Sequence, residues 1–214
     1  MKKTALFVVG GLSAVFLAGC AGMGGAGDSG NPYANAKFQK MLKNDFTPKG
    51  QATMARLDQT DIQAACSRAN FEGKPLDEAL SKKFEARQLA AVQYPADGQY
   101  LGDWKEGLKI AGNGKGMQWN DKPGTPNGGN CQACHEMVPN DPSQGNMGPS
   151  LVHYERLRGN SEAILKYTWS RIYDSEAYNP CSFMPPFGAH KILTEAQIKD
   201  VMALLMDPNS PVNK

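Results

Sequence analysis

The chain has 214 residues, with 23 basic and 21 acidic side chains, a net charge of +2 and 41% hydrophobic residues. That is enough apolar material for one packed domain with an added segment, and so balanced a charge excludes a function built on gripping nucleic-acid phosphates. The small basic excess vanishes if the first 19 residues are removed, because Lys2 and Lys3 leave with them and 21 basic residues then face 21 acidic ones.

Those first residues read as an address. Lys2 and Lys3 form a charged start, and Thr4 to Gly19 carries no charge. The run is short of the roughly 20 apolar residues that span a bilayer, so it is expected to be the apolar region of a signal peptide over 1–19. Leu17-Ala18-Gly19-Cys20 is similar to the lipobox of bacterial lipoproteins, in which cleavage precedes the Cys and the Cys is acylated. Lipidation at Cys20 is therefore expected; the plainer alternative is an ordinary secretory signal with a chance Cys. Residues 20–32, mostly Gly, Ala and Ser, cannot bury a core and are expected to form a flexible tether. No later stretch has the length and apolarity of a membrane span, so attachment would be by lipid.

The rest of the chain shows helical periodicity and no sustained strand alternation, which predicts an all-α fold. A helical N-terminal extension is expected over 33–101. In it Thr60 caps a helix carrying Ile62, Ala65, Cys66 and Ala69 on one face, and a second helix runs from Leu76 to Gln93 with Leu80, Phe84 and Ala91 on one stripe. Tyr94-Pro95-Ala96-Asp97-Gly98 stops it. The second part, 102–214, opens with a helix capped by Asp103, containing Trp104, Leu108 and Ile110 and ending at Gly112. A loop from Lys115 to Asn130 comes next. Asn160 is expected to cap a helix whose Ile164, Leu165, Thr168, Trp169, Ile172 and Tyr173 bury one face. Thr194 and Gln197 form a capping box before Ile198, Val201, Leu204 and Leu205, and Pro208 closes that last helix. Short helices joined by long loops need something to pack on, and a haem supplies such a surface.

The motif for it is Cys131-Gln132-Ala133-Cys134-His135. C-x-x-C-H is the attachment pattern of c-type haem: both thiols bond the porphyrin and the adjacent His is held under the iron. A thioredoxin-like C-x-x-C would need a βαβ setting, which the helical pattern lacks, and a zinc site would need two more ligands. A ligating His also needs a partner for its second ring nitrogen. Gly148-Pro149-Ser150-Leu151 is similar to the Gly-Pro-x-Leu segment of class I cytochromes c, which implies that the Pro149 carbonyl accepts that proton and that Leu151 packs on the porphyrin; an ordinary Gly-Pro turn is the alternative. For the sixth ligand, Ser182-Phe183-Met184-Pro185-Pro186-Phe187-Gly188 is a stiff loop, where two prolines fix φ; it lies just before the last helix, where class I cytochromes c place their axial Met, and that resemblance implies Met184. Met147, then His153 and His190, come after it. With Cys131 and Cys134 spent on haem, Cys66 and Cys181 remain as an even pair in an oxidising compartment, and a disulfide between them is expected. Separate buried thiols, or pairing with a partner's cysteine, stay open.

Larger segments carry a resemblance. Tyr94-Pro95-Ala96-Asp97-Gly98, Gly102-Asp103-Trp104-Lys105, Gly129-Asn130-Cys131-Gln132-Ala133-Cys134-His135, Gly148-Pro149-Ser150-Leu151, Leu157-Arg158-Gly159 and Asn179-Pro180-Cys181-Ser182-Phe183-Met184-Pro185 together span most of 51–205. They resemble the SoxX family, the smaller, monohaem cytochrome of the SoxAX complex in bacterial sulfur oxidation. One position departs: Pro186 stands where Arg is expected, so any contact owed to that Arg is absent here. The resemblance implies a class I cytochrome c-like domain over 102–214 with one covalent haem c. It implies a SoxA-like mono- or dihaem partner that joins thiosulfate oxidatively to a cysteine of a SoxYZ-like carrier. This chain would then be the electron-transfer subunit of an L-cysteine S-thiosulfotransferase, passing electrons to a small cytochrome c. It would bear no catalytic nucleophile and bind no nucleic acid. A free-standing electron carrier in the periplasm is the competing reading. A peroxidase-type haem enzyme would need an open iron position, which the Met184 loop argues against.

Overall fold

The computed structural model describes residues 35–214; the signal peptide, Cys20 and the tether over 20–32 lie outside the described residues. Those described are all-α, with no strand among them. Seven helices are named here in chain order: α1 (Ala36–Asp45), α2 (Asp61–Phe71), α3 (Glu78–Ala91), α4 (Trp104–Ala111), α5 (Tyr154–Arg158), α6 (Glu162–Tyr173) and α7 (Glu195–Met206). Short 3-10 turns occur at Met54–Leu57, Cys131–Ala133, Ser175–Ala177 and Pro211–Asn213.

The capping signals place most helix starts. Thr60 and Gln63 close a reciprocal capping box on α2, and Thr194 and Gln197 do the same on α7. The Asp103 carboxylate accepts from the Lys105 amide at the start of α4. Three expectations are corrected. Helix α3 begins after Asp77, whose carboxylate accepts from the Leu80 amide at 2.9 Å, rather than at Leu76. It ends at Ala91, because Val92 is already extended and Pro95 disfavours helical backbone at Tyr94. Ala91 is exposed, so the inward stripe is Leu80, Phe84 and Gln88, at i, i+4 and i+8. The cap of α6 is Ser161, not Asn160: its hydroxyl accepts from the Ile164 amide. Ser161 is extended, at φ −61° and ψ 156°, directly before the helix, two residues after Gly159 at φ 76°.

The core lies around α7, where Ile198, Val201, Met202, Leu204, Leu205 and Met206 are all buried. Helix α4 crosses it closely because Gly107 has no side chain; a Cβ there would stand 2.1 Å from the Asp200 carbonyl oxygen. Trp169 of α6 donates from its indole to the Gln93 carbonyl (2.8 Å) and meets Tyr100 edge-on. The segment Tyr94–Asp103 is tied to the same centre. Tyr94 bonds Ser170, Lys199 pairs with Asp97, and the Asp103 amide donates to the Asp200 carboxylate. Asn213 closes the other end of α7, donating from its side-chain amide to the carbonyls of Leu205 and Asp207.

The N-terminal helices α2 and α3 are tied to this body covalently and by packing. The cysteines Cys66 of α2 and Cys181 are disulfide-bonded, with Cα atoms 5.5 Å apart across 115 positions. The expected pairing is present, and the alternatives of separate thiols and of a partner cysteine fall away. Beside it, α3 packs on the 3-10 turn Ser175–Ala177, and Arg87 grips Asp61 through two hydrogen bonds of 2.6 and 2.8 Å, holding α3 to α2. The guanidinium keeps the Asp61 carboxyl below the usual range.

Candidate haem-attachment site

The Cys131–His135 motif sits on one tight turn. Asn130 takes the left-handed conformation, φ 48° and ψ 35°, that Asn tolerates better than most residues, and the chain winds directly into the 3-10 turn Cys131–Ala133. Behind it Gly129 and Asn130 donate to the carbonyls of Ile110 and Asn113, docking the motif on the end of α4. A second segment lies along the motif through three backbone hydrogen bonds: Gly145 to Gln132 at 2.8 Å, Gly148 to Cys134 at 2.7 Å and Leu151 to Glu136 at 2.7 Å. These align Gly148-Pro149-Ser150-Leu151 with the histidine.

The histidine is oriented by that alignment. His135 Nδ1 lies 2.8 Å from the Pro149 carbonyl oxygen, which has no proton of its own, so Nδ1 carries the hydrogen and donates. Nε2 is then the lone-pair nitrogen, and it makes no hydrogen bond among the described residues. The ring lies flat over Gly148, where a Cβ would stand 2.3 Å from Cε1 and 2.5 Å from Nδ1. Gly148→Ala must therefore displace the ring; the expected result is a severalfold loss of covalent haem in the purified protein, read by its absorption against protein mass.

Cys131 and Cys134 are not joined to each other. Burial pushes the Cys131 thiol up to about 11, opposite to the lowered values of redox-active C-x-x-C pairs. Nor do three His, Cys, Asp or Glu side chains gather into a metal site among the described residues, so the further ligands that zinc requires are not at hand. The pair is instead a short turn presenting two thiols beside an oriented imidazole, which fits a haem attached through both sulfurs.

Met184 stands on the loop that Cys181 anchors. Its amide donates to the Ser182 hydroxyl at 3.1 Å, and its carbonyl accepts from the Ser175 hydroxyl. Farther along, the Gly188 and Ala189 amides both donate to the Tyr173 carbonyl, and a Cβ at Gly188 would collide with the Tyr173 ring at 2.2 Å. The Met184 side chain is half-buried and packs on the core, together with the equally half-exposed Ile110, Cys131, Leu151 and Ile192. Met147 is 81% exposed and has no such packing. His190 is exposed as well. The His153 Nδ1 is buried without a hydrogen-bond partner. Ser182, named from sequence only as part of the loop, and Ser175, not singled out at all because a lone Ser carries no periodic signal, both hold the Met184 backbone. Pro186 supplies its carbonyl to the His190 amide.

Over 183 residues the chain is 36% identical to a protein of Aquifex aeolicus (strain VF5) named as an uncharacterized lipoprotein, a match covering 85% of this chain and 84% of that one. The chain belongs to the family of that lipoprotein. No family model matches it. No helix among the described residues is long and apolar enough to cross a membrane, so this member of the family has no helical span within residues 35–214.

Proposed function

We propose that the chain is a SoxX-like c-type cytochrome, a lipid-anchored electron-transfer subunit in the periplasm. The observation that supports it most is the His135 imidazole. It stands next to two free thiols, its Nδ1 proton is committed to Pro149, and its Nε2 lone pair is unused. Cys131 and Cys134 would hold the porphyrin, His135 and Met184 would ligate the iron, and Leu151 would pack on the ring. When bound, the haem supplies one-electron transfer. The residues contribute orientation and exclusion of water. The Pro149 carbonyl raises the basicity of the imidazole, and the loop through Ser182, Met184 and Pro185 keeps the thioether in place while limiting access of other ligands. A thioether in the sixth position raises the reduction potential relative to a second His, which suits an acceptor of electrons rather than a site of substrate chemistry.

In this reading the sulfur chemistry belongs to a SoxA-like partner acting on a SoxYZ-like carrier cysteine, and the electrons leave to a small cytochrome c. Phe183, fully exposed, precedes Met184, and the exposed Met147 precedes Gly148; apolar side chains at both edges of the site suit contact with another protein. Two measurements test the proposal. The haem content of the purified protein, by absorption after alkaline pyridine treatment and by intact mass, is expected to give one covalent haem, and an unmodified mass would refute it. Affinity purification from the native source is expected to bring down a larger haem protein; a chain that purifies alone, with its haem, is a free-standing carrier.

Lipid attachment is the remaining part. A bacterial lipoprotein cysteine carries several acyl chains, which satisfies the need for more than one anchoring signal. The mature N-terminus is expected at Cys20, with diacylglycerol mass on the thiol and the protein in the membrane fraction. A soluble chain beginning elsewhere would show an ordinary secretory signal.

A further inference from the structure

A second group of ionisable side chains sits behind the Met184 loop, where the N-terminal helices meet the body. Asp174 is 2% exposed and Glu176 is 7% exposed. They flank Ser175, whose hydroxyl holds the Met184 carbonyl. A single amide nitrogen, Nε2 of Gln88 on α3, donates to both: 3.1 Å to Asp174 Oδ2 and 3.2 Å to Glu176 Oε2. Asp174 Oδ1 also accepts from the Glu176 amide at 3.0 Å. Among the described residues neither carboxylate forms an ion pair within 4 Å. Asp174 moreover follows the last residue of α6, where the helix dipole is negative.

Two buried carboxylates that share one neutral donor cannot both stay charged without cost; binding one proton relieves it. The other charges facing them do not remove that cost. Arg87 on α3 acts on Glu176 from outside ion-pair range and is already committed to Asp61. His190, from the loop after Met184, acts on both, and Tyr173 of α6 lies on the Asp174 side. Burial pushes both carboxyls above their usual range, and for Glu176 the Asp174 charge adds to it, while His190, Gln88 and Arg87 pull the other way.

We propose that Asp174 and Glu176 form a one-proton site that fills from solvent as the bound haem gains an electron and empties as the electron leaves. The proposal rests on the reading of the chain as a cytochrome. The electron comes from a donor cytochrome or a chemical reductant. The proton comes from water and ends on a carboxylate oxygen, so a single O–H bond is made on reduction and broken on reoxidation. The pair flanks Ser175, whose hydroxyl holds the Met184 carbonyl, so a haem ligated by Met184 would lie on the far side of that loop, and the positive charge it would lose on reduction would strengthen proton binding at the carboxyls. By linkage the reduction potential then falls as pH rises across the interval between the pair's pKa with oxidised and with reduced haem.

The test is a spectroscopic redox titration of the haem-bearing full chain at a series of pH values. A tenfold tighter hold on the proton in the reduced state gives a drop of about 59 mV across that interval. Glu176→Gln and Asp174→Asn are expected to flatten the dependence, and His190→Gln to leave it. Should Asp174→Asn fail to fold, because that residue also holds the Glu176 amide, Glu176→Gln alone decides. A potential independent of pH overturns the proposal; so does a dependence that survives both carboxyl variants, or one that vanishes with His190→Gln. A haem-free arm separates the two layers. Raised carboxyl pKa values mean that the native state binds more protons than the unfolded one. The pair's own contribution to denaturant stability should therefore be fully present below the unfolded carboxyl pKa and be lost as pH rises through the folded value, opposite in sign to the contributions of the lowered Asp61, Asp97, Asp141 and Glu162, and Glu176→Gln should remove its share. A chain without haem refutes the cytochrome reading and the coupling with it, whereas a haem-bearing chain with a flat potential refutes only the coupling.

Discussion

In a chain that carries the proposed haem, Met184→Ala is expected to leave the group attached, because Cys131 and Cys134 would hold it covalently, and to change its spectrum and reactivity throughout. The weak sulfur-to-iron charge-transfer band disappears, the ferric iron loses its low-spin signature, and the ferrous form binds carbon monoxide that the parent protein excludes. The reduction potential falls, because a thioether that favours the reduced iron has been replaced by water or by nothing. Met184→His separates ligation from packing: six-coordination returns, but with two imidazoles and a potential still below the parent's. Met184 is half-buried, so the cost of truncation to the fold stays below the 2–5 kcal/mol, roughly, of a fully buried Met. A spectrum unaffected by Met184→Ala would move the ligand elsewhere. His153, whose ring nitrogen is buried and unpartnered, would be tested before the exposed Met147.

Reduction of Cys66–Cys181 is expected to have the largest effect on stability. The bridge closes 115 positions of chain, and in the chain-entropy account a loop of that order contributes about 4–5 kcal/mol, a ceiling that measured bridges commonly fall below. Its place makes the consequence functional as well. Cys181 precedes Met184 by three residues, and the loop is otherwise held by a hydrogen bond from the Ser175 hydroxyl, one accepted by the Ser182 hydroxyl and two accepted by the Tyr173 carbonyl. With the bridge open, the Met loop should loosen first, so that mild reductant under denaturant weakens the iron–sulfur band before helical circular dichroism is lost. Cys66→Ser with Cys181→Ser should reproduce both effects without reductant. Coincident loss of the two signals would mean that the disulfide steadies the whole fold and not the loop in particular.

Much of the helical layout was legible in the sequence because it is decided locally. Thr60 with Gln63, and Thr194 with Gln197, satisfy amides three residues away, so their spacing alone places the starts of α2 and α7. The misplaced boundaries were also local contests, between neighbours able to play the same part. Leu76 gave way to Asp77 because a carboxylate accepts the Leu80 amide and an alkyl side chain cannot. Asn160 gave way to Ser161 because it is the Ser161 hydroxyl, on an extended residue directly before α6, that meets the Ile164 amide. The thiols and the histidine of the haem motif are adjacent in the chain, so their grouping needed no fold at all.

The tertiary structure alone decided what lies between distant segments. Sequence could leave Cys66 and Cys181 as the two unassigned cysteines, but only the packing of α2 beside the Met184 loop brings their Cα atoms to 5.5 Å. It could point to Pro149 through a resemblance, whereas the hydrogen bond to His135 depends on three backbone bonds that lay one segment along the other. The meeting of Gln88 with Asp174 and Glu176 had no sequence signal, because it joins positions more than eighty residues apart. A polar side chain on a helix reads as solvent-facing until another element covers it. Capping and periodicity are set by neighbours within one helical turn and are written in the chain; which polar groups are buried together depends on how the chain returns on itself, and is not.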